Sequence, residues 1–182
     1  RLPDDVDSVR ITLEPVGPAD LRRTVVSMGP DTPEPHRVAE RLYQATGGHP
    51  AWLLATLAEH RHGRVVELPL PLEPPGRLIE AVEELPLEAL DVLCAVCILR
   101  QPPDRSLVEE VAQAPCKDIL LLLEEEGLLR THASRSTPVG RLVSLAALQA
   151  LPDLNAMHRR AALALEDRAM AFEAHHHRVA CG

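Results

Sequence analysis

The chain has 182 residues, enough for one large domain or two small ones around a sizeable core. Its 46% hydrophobic content demands a packed fold, and aromatics at 2% (Trp52, Tyr43 and Phe172) leave that packing to Leu, Val and Ala, which suits helix against helix. A net charge of −8 argues against a broad nucleic-acid surface, and with no apolar run of about 18 residues nothing here is expected to span a membrane.

Residues 10–13 (RITL) read as a short extended run ended by Pro15. Gly17-Pro18 opens a predicted helix over 19–28, and the breaker cluster GPDTPEP (29–35) separates it from a second over 36–45, with Val38, Leu42 and Ala45 at helical spacing. Gly47 and Gly48 stop that helix. Pro50 restarts a third over 51–62, with Leu53, Leu54 and Leu57 as its apolar stripe and Gly63 at its end. LPLPLEPP (68–75) holds four prolines in eight residues and cannot be a helix interior or a central strand. It reads as a stiff linker, and it divides the chain into domains near 1–66 and 76–152 joined by 67–75.

The second domain opens with a predicted helix over 78–84, then a longer one over 88–99 with Leu90, Leu93 and Cys97 on one face. Pro102-Pro103 breaks it, and Asp104 is a good N-cap for a helix reaching about 113. After Pro115 the next helix spans 116–126, carries five apolar residues from Ile119 to Leu123, and stops at Gly127. Two extended runs, 128–133 and 142–145, are expected on either side of a polar turn over 134–140. Three helices followed by a hairpin is the winged-helix order. From Asp153 the chain reads as helix almost to its end, with Met157, Ala161, Leu165, Ala169 and Phe172 as the stripe. The expected class is therefore mainly α: a helical domain, then a winged-helix domain with a small β-hairpin wing, then a C-terminal helix over 153–182.

The order of these parts resembles a known family. The stretches ITLEPVGPADLRR and RVAERLYQATGGHPAWLLATL resemble the helical lid of bacterial signal-transducing (STAND-type) AAA+ ATPases, including LuxR-like regulators. EELPLEALDVLCAVCIL, LLLLEEEGLLR and MHRRAALALED resemble the winged helix that follows the lid, and AMAFEAHHHRVACG is similar to the helix that opens a tetratricopeptide-like array. The resemblance implies that Gly48, His49 and Pro50 lie on the adenine side of bound ATP or ADP in an intact protein. It also implies an upstream nucleotide-binding domain and downstream helical repeats in cis. No Gly-x-x-x-x-Gly-Lys-Ser/Thr occurs, and the chain starts at Arg1 rather than Met, so the segment is expected to be a piece that neither holds nucleotide tightly nor hydrolyses ATP. Relatives often place a phosphate-sensing histidine in the second wing strand region; Gly140 stands near that place here.

Other patterns point to packing rather than chemistry. Cys94-x-x-Cys97 supplies two of the four ligands zinc needs and lies in an apolar helix, so both read as core cysteines. The four cysteines show no disulfide framework, and a reducing cytoplasm is the expected home. His175, His176 and His177 point about 100° apart on a helix and cannot share one ion, so they read as a mostly solvated stretch. His158 reads as a packed or capping residue. No catalytic arrangement stands out, and no metal site is expected. The third helix of the winged-helix order carries Lys117 against Asp118, Glu124, Glu125 and Glu126, which opposes phosphate binding. The wing region supplies Arg130, Arg135 and Arg141 for DNA or for the carboxylates of a protein partner. The leading expectation is a regulatory module that relays nucleotide state; the alternatives are a DNA-binding winged helix and a protein-interaction module without a nucleotide role.

Overall fold

The computed structural model describes residues 14–62, 65–66, 74–99 and 101–181. The extended run expected at 10–13 and positions 67–73 of the expected linker lie outside the described residues. The described chain is mainly helical, with ten helices and two small antiparallel hairpins. None of its helices is long and apolar enough to cross a membrane.

The N-terminal unit is built from α1 (Pro18–Met28), α2 (Pro35–Thr46) and α3 (Pro50–His60). A proline opens each of them, a position where the missing N–H costs nothing. Leu21 and Val25 of α1, Val38, Ala39 and Leu42 of α2, and Leu53 and Leu57 of α3 form one small core. The third helix ends at His60 rather than 62, because β1 (Arg61–His62) pairs with β2 (Val65–Val66), Arg61 opposite Val66.

The C-terminal unit contains α4 (Gly76–Glu83), α5 (Leu87–Ile98), α6 (Arg105–Ala112), α7 (Lys117–Glu125), β3 (Leu129–His132), β4 (Arg135–Pro138), α8 (Arg141–Ala150), α9 (Leu154–Asp167) and α10 (Ala171–Ala180). Its axis is α5, buried from Val92 to Val96 without interruption, as an all-apolar helix must be. Around α5 pack Val108 and Val111 of α6, Leu123 of α7, Leu142 and Ala146 of α8, and Met157 of α9.

Two expectations are corrected here. The second wing strand is β4 at 135–138, and residues 142–145 lie in α8 instead. A run as short as Leu-Val-Ser-Leu fits strand or helix equally, and only the continuation LVSLAALQAL shows the helical length. The wing turn is just Ala133-Ser134, at φ 49° and 64°, the double positive φ of a type I′ hairpin, with His132 opposite Arg135. The single C-terminal helix is in fact two. Ala169 turns the chain at φ 56°, α10 folds back along α9, and the buried stripe ends at Leu165. Ala169 is exposed and Phe172 is 74% exposed.

Asp104 caps α6 as expected: its carboxylate accepts hydrogen bonds from Leu107 N (2.9 Å) and Ser106 Oγ (2.8 Å). Its backbone also forms a single antiparallel bridge with Arg135, which ties α6 to the wing. Those hydrogen bonds, the one from Leu107 first, hold the Asp104 carboxyl below its ordinary 3.8. Its contribution is therefore present above that pH and is lost as pH falls through the lowered value. Asp104→Ala should lower stability by about 1 kcal/mol at neutral pH in urea denaturation. The difference from the unmodified chain should close in strong acid.

Candidate functional site

The turn between α2 and α3 is where the two units meet. Gly47 and Gly48, at φ 60° and 74°, close α2 in the left-handed region that glycine enters without steric cost. Almost every main-chain group of the turn is engaged. Gly47 N donates to Tyr43 O (2.7 Å), His49 N to Thr46 O (3.0 Å) and Gly48 N to Thr46 Oγ1 (3.3 Å). The Gly48 carbonyl accepts from Val16 N (2.8 Å), and the Gly47 carbonyl accepts from the Arg130 guanidinium of β3.

The seat for this turn is also made of glycine. A methyl group on Gly47 would overlap the Val139 carbonyl, and one on Gly140 would lie 2.8 Å from Gly47 N. One on Gly127 would run into the His49 ring. At Gly47, Val139 and Gly140 the backbones of the two units thus approach without side chains between them, whereas at Gly127 the His49 ring fills the space. Trp52, one turn into α3 and 8% exposed, crosses to the other unit, where its Nε1 donates to Gly127 O (3.2 Å) and its ring joins the C-terminal core. His49 stacks on Trp52 at 5.4 Å between ring centroids. Ala45 enters the same core from α2.

His49 Nδ1 is buried and has no hydrogen-bond partner among the described residues. Burial first, and the Arg130 charge second, push the imidazole below its ordinary 6.5, so the ring is held neutral.

The residues proposed from sequence therefore separate. Gly48, His49 and Pro50 come together with Arg130 in one junction, with Gly48 buried and Pro50 half-buried. Arg135, at the start of β4, and Arg141, at the start of α8, are exposed and take no part in it. Gly140 belongs to the junction rather than to a wing strand; it is the N-cap of α8. Trp52, Gly127 and Val139 were not singled out by sequence reasoning. The only signal for them is that a lone tryptophan follows a Gly-Gly helix stop by a few residues.

The remaining candidates take no shared position around an ion. Among the described residues, no group of three or more His, Cys, Asp or Glu side chains could hold a metal. Cys94 is buried and its thiol donates to Ala147 O (3.2 Å); Cys97 is half-buried. Burial raises both thiols, Cys97 to about 12, so neither is a nucleophile. His175 and His176 are exposed, whereas His177 is 1% exposed and pairs Nδ1 to Nδ1 with His158 at 2.8 Å. The histidine run is therefore solvated at two positions and buried at the third. No family model, no curated protein and no solved structure matches the chain.

Gly47→Ala should be the most damaging single methyl addition among the described glycines. It adds left-handed strain and a backbone overlap together, a loss of at least about 2 kcal/mol by thermal denaturation. The histidines give a pH signature. His49 and His158 are both held below 6.5, chiefly by burial, so the unfolded chain takes up protons that the folded one refuses. Stability should be full above pH 6.5 and fall as the solution is acidified below it. The double substitution His49→Gln, His158→Gln should flatten the melting temperature between neutral pH and about pH 5.

Proposed function

We propose that the chain is a regulatory module, the lid and winged-helix part of a nucleotide-switched signalling ATPase. It would relay the state of an upstream nucleotide-binding domain to downstream helical repeats. The supporting observation is the seating of the Gly47–Pro50 turn, the element that would face adenine, directly on the β3–β4 hairpin and the start of α8. A displacement of Pro50 by bound ATP or ADP would reach Val139 and Gly140 through direct backbone contact with Gly47, Gly127 through the His49 ring, and Arg130 through its bond to the Gly47 carbonyl. Only a difference in nucleotide affinity between two such arrangements can drive a switch, and a rigid contact of this kind is how that difference would reach the second unit.

The alternative of a DNA-binding winged helix has less support. In that motif the third helix enters the major groove. Here α7 presents Leu121, Leu122 and the carboxylates of Asp118, Glu124 and Glu125 to solvent, and Arg130 is already bonded to Gly47 O. Such a surface neutralises few phosphates.

In a protein that carries the nucleotide-binding domain, Pro50→Ala should lower the amount of copurified ADP at least several-fold. Unchanged retention would remove the nucleotide role and leave an interaction module. For the chain alone, a labelled DNA duplex titrated at low salt should show no rise in anisotropy. Salt-sensitive binding that is lost on Arg135→Ala with Arg141→Ala would instead favour the DNA reading.

A further inference from the structure

The last helix is held in place chiefly by a histidine. Of the 10 residues of α10, the buried ones are Ala174 and His177, each 1% exposed. Its larger apolar side chains point away: Phe172 is 74% and Val179 67% exposed. Met170, at the N-cap, adds a partly buried contact. Apolar stabilisation scales with the area covered, so one alanine methyl gives this helix little hold. The principal buried side chain of α10 is thus a titratable one.

His177 Nδ1 lies 2.8 Å from Nδ1 of His158 on α9, with the ring centroids 5.0 Å apart. A hydrogen bond between two ring nitrogens needs one that carries hydrogen and one that does not. The neutral pair meets this condition, and so does a pair with one extra proton. With two extra protons both Nδ1 atoms carry hydrogen, the bond is lost, and two positive rings face each other. His176 stands edge-on to His177 at 5.4 Å between centroids and adds a third imidazole.

The surrounding charges do not offset this. Among the described residues, His177 shares a cavity of about 120 Å³ with Arg135 of the hairpin, Arg168 after α9, Asp104 before α6 and Glu173 of α10. Two cations and two carboxylates leave no net charge to hold an imidazolium. Arg168 also pairs with Glu110, and Glu173 accepts from Gln101 (3.2 Å). Glu166 and Arg178 form an ion pair between α9 and α10. Carboxylates and guanidinium groups keep their charge through the range in which imidazoles ordinarily titrate, so the histidines alone change. The connection is itself poised, because Ala169 holds φ 56°, a left-handed conformation that alanine leaves readily when nothing holds it there.

We infer that the His158–His177 bond is an acid-released latch: it holds α10 against α9 at neutral pH, and protonation of both rings frees α10 while the helices around α5 stay folded. Burial first, and the His176 charge second, hold the His158 ring below its ordinary 6.5. Docking is therefore complete above that pH and is lost as the solution is acidified below it, because the released rings take up protons that the docked pair refuses. This device is independent of the nucleotide reading.

The test is native-state hydrogen exchange of the full 182-residue chain between pH 7.5 and 5, read as protection factors. Protection across 171–180 should fall about tenfold per pH unit for each proton taken up, while the amides of α5 keep theirs. His158→Gln, which retains a hydrogen-bonding side chain but cannot titrate, should remove most of this pH dependence. His175→Gln, at an exposed position outside the pair, should leave it in place. Imidazole NMR of the unmodified chain gives a second readout, in which loss of α10 protection shares its midpoint with titration of the His158 ring. Protection of α10 that is independent of pH, parallel loss in α10 and α5, or the unmodified pH dependence in His158→Gln would overturn the proposal. If His158→Gln releases α10 already at pH 7.5, the NMR midpoints decide, and a mismatch overturns it.

Discussion

The structure depends on a close approach of two backbones. At the α2–α3 turn, Gly47 meets the Val139 carbonyl and Gly140, while Gly127 lies under the His49 ring. Side-chain packing tolerates slippage by small rotamer changes, but main chain against main chain does not. The Arg130 to Gly47 carbonyl bond and the Trp52 to Gly127 carbonyl bond then fix the register of the contact. Both carbonyls sit at helix ends or turns, where intrahelical partners run out. A hydrogen bond from a charged donor contributes about 1.5–3 kcal/mol and a neutral one about 0.5–1.5 kcal/mol. Two such bonds plus the burial of Trp52 therefore weigh heavily against the small net stability of a domain.

This contact makes the N-terminal helices more than a neighbour of the C-terminal unit. Trp52 and Ala45 belong by sequence to the first three helices but pack in the core organised by α5. The His49 ring stacks on Trp52 with its Nε2 end toward Gly127, and protonating it would place a second positive charge beside Arg130. The element that the family resemblance associates with nucleotide is thus also the element that holds the units together. The Gly47–Pro50 turn thus packs against both the hairpin and the start of α8.

Most of the helical skeleton was legible because prolines, glycines and Asp104 mark its ends. Pro18, Pro35 and Pro50 open helices, Gly47 closes one, and Asp104 caps another by the side-chain bond its type suggests. The misreadings fall where no such marker exists. Ala133 and Ser134 adopt the positive φ that Asn-Gly would advertise, so the wing turn is invisible and the second strand is displaced. Ala169 breaks the last helix without glycine or proline, and the apolar spacing carries the eye past it. The turn at Gly47–Pro50 could be picked out from the sequence, but its partners could not. Gly127, Arg130 and Gly140 lie some eighty to ninety residues away, and nothing local records that a glycine will face a glycine.

Calorimetry of the unmodified chain and of Arg130→Met tests the coupling most directly. The account predicts one cooperative transition for the unmodified chain, with equal calorimetric and van't Hoff enthalpies. For Arg130→Met it predicts two resolved transitions, or one broadened well below that equality, as the N-terminal helices melt first. Two independent transitions in the unmodified chain, or an unchanged single transition in the variant, would contradict it.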